Sequence, residues 1–213
     1  VGICDAMPTI RQPFSRADVE EIETVEIYRE YFTMQDRTVR FSTYDGGRSA
    51  PVKRGVFISG EAVTVLPYDA ARDEVLLIEQ WRVGPWVYGD ANPWAIEVIA
   101  GRLEGDTHPE RTARREAREE AGVEIAEMEH AAGYYTTPGI GCEYLTSYVG
   151  RADLSAAGGV HGLEEEGENI RVITLGFWDA MEALARGDVN TAPAVLSLLW
   201  LARNRERLRL LWS

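Results

Sequence analysis

The chain has 213 residues, 45% of them hydrophobic, with 35 acidic against 22 basic side chains and a formal net charge of −13. That length carries a sizeable core, as one large domain or one domain with a small appendage. The acidity argues against nucleic acid or an anionic membrane surface as the main partner, and no apolar run approaches the roughly 18–20 residues of a membrane span.

Residues 1–20 hold Pro8 and Pro13 and few apolar repeats, and are expected to be irregular. Three segments rich in β-branched and aromatic residues follow, at 25–32, 38–44 and 52–59. Asp45-Gly46-Gly47 reads as a turn between the second and third. These predict a small N-terminal antiparallel sheet over residues 1–58. From about Glu61 the pattern is denser. Strands are expected at 62–67 and 74–82 around a turn at 69–73, then at 94–99, 126–136, 143–150 and 170–175. Helices are expected at 108–121, 178–186 and about 192–211, the last with Thr191 as N-cap and Pro193 in its first turn. Strands and helices in this mixed order predict an α+β sandwich for residues 59–213, not a doubly wound parallel sheet. Cys4 and Cys142 lie far apart and form no metal-binding spacing, so the expected compartment is a reducing cytoplasm.

The segment 101–123 is the most informative. Thr107-x-x-Glu110 has the form of a capping box, and Gly122 is placed to close the helix in a left-handed conformation. Ala113, Ala117 and Ala121 form a small-residue stripe suited to packing on a sheet. Glu116, Glu119 and Glu120 fall at i, i+3 and i+4, on one face, where like charges repel by about 0.2–0.5 kcal/mol per pair. A solvated face laced with Glu110–Arg114 and Arg115–Glu119 pairs is one reading. A bound divalent cation is the other, and oxygen-only ligands suit Mg²⁺ or Mn²⁺ rather than zinc.

Gly101, Arg115, Glu116, Ala117, Glu119, Glu120, Gly122 and Val123 together resemble the box of the Nudix hydrolases in register, with Thr107 standing where the family has its first glutamate. Residues 74–82, 93–101, 138–139, 161–171 and 190–201 extend the likeness to the ADP-ribose pyrophosphatase branch, over about residues 22–202. The resemblance implies the Nudix fold, an α/β/α sandwich with a mixed sheet, and Mg²⁺-dependent hydrolysis of ADP-ribose to AMP and ribose 5-phosphate, with Mn²⁺ as a substitute. GDP-mannose or another nucleoside diphosphate-sugar is the alternative substrate. A nucleotide-binding module of weak activity is the alternative of another class, for which Thr107 is the only feature.

Roles follow from the same resemblance. Glu116, Glu119, Glu120, Glu168 and the carbonyl of Ala100 would hold the metal. Glu166 would be the catalytic base, with Glu119 beside it. Arg54 and Arg82 would meet phosphate or terminal ribose, Glu97, Glu143 and Gly139 would line the cleft, and Tyr31 would stack on adenine. For Tyr31, a strand residue packed in the small sheet is an equal reading. In this branch the N-terminal strands exchange between subunits, which implies a domain-swapped homodimer.

Overall fold

The computed structural model describes residues 13–103 and 105–213. Cys4 and Pro8 lie outside the described residues. The chain divides into two units, one running up to Ser59 and taking in Thr137–Cys142, the other made of Gly60–Thr136 and Glu143–Ser213.

In the N-terminal unit, β1 (Val19–Arg29), β2 (Thr33–Phe41) and β3 (Val52–Ile58) form an antiparallel sheet in that order. Gly46 and Gly47 take φ of 88° and 100°, the left-handed values that the Asp45-Gly-Gly turn requires. The segment 137–142 joins through Phe57, whose amide donates to the carbonyl of Ile140 at 2.8 Å and whose carbonyl accepts from Cys142 at 3.0 Å. Two expectations are corrected here. The first strand starts at Val19, because Glu20, Glu21 and Glu23 lie on an open strand that buries neither face. Residues 30–32 are the turn between β1 and β2, so Tyr31 is a turn residue and not a strand residue.

The second unit is built on an eight-stranded mixed sheet. Its main path is β10 (Val160–His161), β11 (Ile170–Gly176), β5 (Glu74–Trp81), β4 (Glu61–Asp69), β9 (Tyr144–Arg151) and β8 (Met128–Tyr135). Only β4 and β9 run parallel. β4 and β5 pair at Tyr68–Asp69 with Val75 and Glu74, and then part. Beyond that point β5 pairs with β6 (Trp94–Glu97), and β4 with β7 (Ile99–Arg102), which sets Ala100 opposite Thr64.

Side-chain alternation along the strands assigns two cores. Val63, Val65, Leu76 and Ile78 pack with Ala113, Ala117 and Ala121 of α2 (Pro109–Ala121). Leu66, Tyr68, Val75 and Leu77 pack with α3 (Phe177–Arg186) and α4 (Ala192–Trp212). Helices on both faces of a mixed sheet make the α/β/α sandwich expected from the chain. The β4–β5 turn is tied to α4 by Asp73, a non-glycine residue at φ 59°, which accepts from the Tyr68 hydroxyl and from Nε of Arg205, each at 2.7 Å.

Local differences have physical causes. A short helix, α1 (Val83–Tyr88), was not expected; Pro85 is tolerated in its first turn, where its missing N–H has no partner to lose. α2 begins at Pro109 and its N-cap is His108, without a side-chain cap. Thr107 is therefore not the cap. Asp106 instead ties down the start of the helix: it accepts from the His108 amide at 2.9 Å and from Nε of Arg111 at 2.8 Å. The Arg111 guanidinium, then the His108 amide, hold its carboxyl down to about 2. Thr191 is the N-cap residue of α4, as expected, its carbonyl accepting the Val195 amide at 3.0 Å while its hydroxyl donates to the Ile96 carbonyl at 2.8 Å and not to the helix. Arg114 donates to the carbonyls of Ile125 and Ala126, not to Glu110, whereas the Arg115–Glu119 pair does form.

Candidate active site

α2 closes at Gly122, whose φ of 65° is the left-handed end value; the amides of Gly122 and Val123 reach back to the Arg118 and Ala117 carbonyls at 3.0 and 3.1 Å. This fixes which way the helix turns its acids. The alanine stripe packs on the sheet, and Glu116 and Glu120 flank it beside β7. Glu120 is only 3% exposed, and one oxygen accepts the Ala100 amide at 3.1 Å. Glu116 lies against Gly101 so closely that a Cβ there would stand 2.0 Å from Oε1. Glycine at 101 is thus a steric requirement of the carboxylate.

Glu168 joins the two from the segment just before β11. One of its oxygens accepts the Leu163 amide at 3.1 Å, and Gly162, at φ 101°, lets its stem approach. Glu119, half-buried, pairs with Arg115, which also donates to Glu116 at 2.6 Å. The Glu119 carbonyl receives the Gly162 amide at 3.2 Å, anchoring the acidic loop to α2.

The electrostatics are those of carboxylates short of a counter-charge. Burial, offset in part by Arg115 and reinforced by Glu119 and Glu168, pushes Glu116 up to about 7. Burial, offset by the Ala100 amide and reinforced by Glu116 and Glu168, pushes Glu120 up to about 8. One shared guanidinium and one backbone amide do not balance three clustered carboxylates, and carboxylates so placed are normally met by a further cation. A divalent ion fits this donor set of hard oxygens. In the described residues no three acidic, histidine or cysteine side chains are drawn into a closed ligand set.

The remaining expected residues are placed as follows. Arg82 follows β5, its Nε donates to Glu97 at 2.8 Å, and its charge is felt by Glu120. Glu143 accepts from the Thr136 hydroxyl at 2.9 Å. Glu166 lies in an exposed turn, Glu164–Glu166, that ends at Gly167. Tyr31, Arg54 and Gly139 belong to the N-terminal unit. Tyr31 is 72% exposed and meets Phe32 edge-on at 4.6 Å. Arg54 is exposed on β3, where its side chain donates to the Lys53 carbonyl at 2.9 Å. Gly139 occupies an exposed turn. The sequence reading missed the bridging role of Arg115, for which the i, i+4 spacing to Glu119 was the available signal. It also missed His161, whose ring is close enough that a Cβ on Gly122 would meet it at 2.8 Å.

The model of the NUDIX domain matches residues 59–196, which contain all of these acids. The chain belongs to the NUDIX family. An ADP-ribose pyrophosphatase of Haemophilus influenzae is 34% identical over 204 residues, 95% of this chain and 94% of that protein. An ADP-ribose pyrophosphatase of Escherichia coli K12 is 34% identical over 200 residues, 94% of this chain and 95% of that protein. A GDP-mannose pyrophosphatase of Shigella flexneri is 35% identical over 175 residues, 80% of this chain and 88% of that protein. Among solved structures, a crystal structure of an ADP compounds hydrolase superposes with a TM-score of 0.68 at 19% identity, covering 92% of this chain and 99% of that one, a likeness of fold. This NUDIX protein is a hydrolase by family. Among its described residues no helix is long and apolar enough to cross a membrane.

Proposed function

We propose that this protein hydrolyses the pyrophosphate bond of ADP-ribose to AMP and ribose 5-phosphate with Mg²⁺, Mn²⁺ serving as a substitute. The observation that carries the reading is the acidic array of buried Glu120 with half-buried Glu116 and Glu168, in a chain whose near-full-length relatives bear the name ADP-ribose pyrophosphatase. Glu116, Glu120 and Glu168, with Glu119 and the Ala100 carbonyl, would hold the metal. Bound there, it supplies charge neutralisation for an anionic diphosphate and polarisation of the phosphoryl group.

The chain's own groups do the rest. Glu166 takes a proton from the attacking water as its oxygen bonds to phosphorus and the bridging oxygen leaves with the other phosphate. A positioned base of this kind contributes about 10²–10⁴ in rate. Its exposure leaves room for water at the carboxylate. Arg82, oriented by Glu97, offers its remaining guanidinium N–H groups to phosphate oxygens. Glu143 lines the same cleft, and Arg54, Gly139 and the ring of Tyr31 serve the ribose and adenine ends of the substrate.

The protein acts in the cytoplasm as a domain-swapped homodimer in this reading. Cys142 is a free thiol, in keeping with a reducing compartment. β1 leaves Val19, Ile22, Val25, Ile27 and Tyr28 between 45% and 58% exposed, an apolar strand surface that a second subunit would cover. In the dimer Tyr31 serves the partner subunit's substrate.

A second reading, a GDP-mannose hydrolase, is favoured by the 35% identity to enzymes of that name. One experiment decides. The protein with Mg²⁺ is given ADP-ribose, GDP-mannose, NADH and diadenosine polyphosphates, and the products are separated. AMP from ADP-ribose at the highest kcat/KM supports the reading; a preference for GDP-mannose replaces it; no product from any of them leaves a nucleotide-binding module.

A further inference from the structure

α2 carries two opposed flanks. At about 100° per residue, Glu116, Glu119 and Glu120 centre on one side of the alanine stripe, and Arg111, Arg114 and Arg118 centre roughly half a turn away. The arginine flank is not flat. It borders a cavity of about 550 Å³, lined also by His108, Glu110 and Tyr148. That volume lies in the range of small-ligand sites, and the cavity is open to solvent on one side.

The chemistry of the lining is specific. Arg114 is fixed by the neutral carbonyls of Ile125 and Ala126, so its hydrogen bonds leave its charge uncompensated. Arg111 and Arg118 pair with Asp106 and Glu124. Arg118–Glu124 is a solvent-exposed pair of the kind worth about 0–1 kcal/mol, which a doubly charged anion can displace, whereas Arg111 keeps Asp106 on Nε and Nη2 and offers its remaining N–H groups. Three guanidinia on successive turns match phosphate oxygens by their bidentate fork. Glu110 would repel bare phosphate, and instead calls for a ligand that also brings hydroxyl or amine donors. A nucleoside monophosphate carries both ends.

We infer that the cavity between the arginine flank of α2 and Tyr148 is a second ligand site, separate from the acidic flank, that takes a phosphorylated nucleoside of about AMP size. Its phosphate meets Arg111, Arg114 and Arg118, and its sugar or base donors meet Glu110. Ligand at this flank presses on the same helix that carries Glu116 and Glu120.

The test is calorimetric titration of the full chain with AMP, adenosine and inorganic pyrophosphate in EDTA. Without metal the acidic flank repels anions, so binding there reports the arginine flank. AMP is expected to bind at one site per chain, adenosine not measurably. Arg118→Gln and, separately, Arg111→Gln should each weaken AMP at least tenfold, with turnover of ADP-ribose and the circular dichroism spectrum unchanged. No AMP binding by the wild-type chain, or equal binding by both variants, would overturn the site. Equal binding of adenosine and AMP would show that the arginines do not read phosphate and would overturn it as well.

Discussion

Oε1 of Glu116 occupies the space that a side chain on Gly101 would need, at 2.0 Å from the position of its Cβ. Strand β7 and helix α2 approach as closely as they do because neither Gly101 nor the alanine stripe fills the gap. Gly101→Ala must therefore displace the carboxylate. Since that is the far end of a flexible side chain, the fold survives and the ligand moves. The expected result is an affinity for Mg²⁺ or Mn²⁺ lower by about tenfold, about 1.4 kcal/mol, with far-ultraviolet dichroism unchanged. Metal titration followed by fluorescence or calorimetry measures it, and an unaltered binding curve would separate Glu116 from the metal.

Metal and pH should act on stability together. Burial raises Glu116 to about 7 and Glu120 to about 8 from an ordinary value of 4.5. The folded, metal-free protein thus holds protons that the unfolded chain releases, so stability falls as pH climbs from about 4.5 to 8. A cation relieves the repulsion between the ionised forms. The rise in Tm on adding Mg²⁺ is expected to be large near pH 8 and small near pH 5.5. Melting curves with EDTA and with Mg²⁺ at the two values would refute the pairing of these acids with metal if the two increments were equal.

Glu166→Gln tests the base. The amide keeps the size of the side chain and cannot take the proton. Turnover should drop by about 10²–10⁴, while KM and metal affinity change little. A variant with near wild-type kcat would move the base elsewhere on the acidic turn.

The start of α2 gives a contrast between adjacent residues. Asp106→Asn removes the partner of Arg111 and should lower Tm at neutral pH, while Thr107→Ala should leave it unchanged. The Asp106 carboxyl is held down to about 2, so its contribution is present above the ordinary carboxylate range and is lost as pH falls toward that value. The two melting curves, wild type and Asp106→Asn, should converge in acid. A Thr107→Ala loss as large as that of Asp106→Asn would restore Thr107 as the cap.

What could be read from the chain alone follows from how local each signal is. The box helix was legible because Ala113, Ala117 and Ala121 repeat at the helical period and Gly122 ends the run, both properties of neighbouring residues. The strands of the large sheet were legible from their apolar runs. Arg115 bridging Glu116 and Glu119 is local too, yet an i, i+4 pair on any helix looks the same. The rest depends on distance along the chain. Asp106 outcompetes Thr107 through its clamp on Arg111 and the His108 amide, and the hydroxyl of Thr191, though at the N-cap position of α4, is drawn to the distant carbonyl of Ile96. β1 carries Glu20, Glu21 and Glu23 on an open strand, so no alternation marks its beginning. That Ala100 would donate its amide to Glu120 depends on β4 and β5 parting to admit β6 and β7, which no periodicity announces.

The bond between Asp73 and Arg205 spans 132 positions of sequence. Arg205 also lies over the rings of Phe177 and Trp178, at 4.8 and 5.4 Å from their centres, so three distant parts of the chain meet at one guanidinium. During synthesis, the β4–β5 hairpin leaves the ribosome long before its partner in α4 exists. One face of the sheet must wait, uncovered, for α4 to be made. The order of translation therefore exposes the apolar face formed by Leu66, Tyr68, Val75 and Leu77 to chaperones, and the catalytic unit cannot close until α4 has been made.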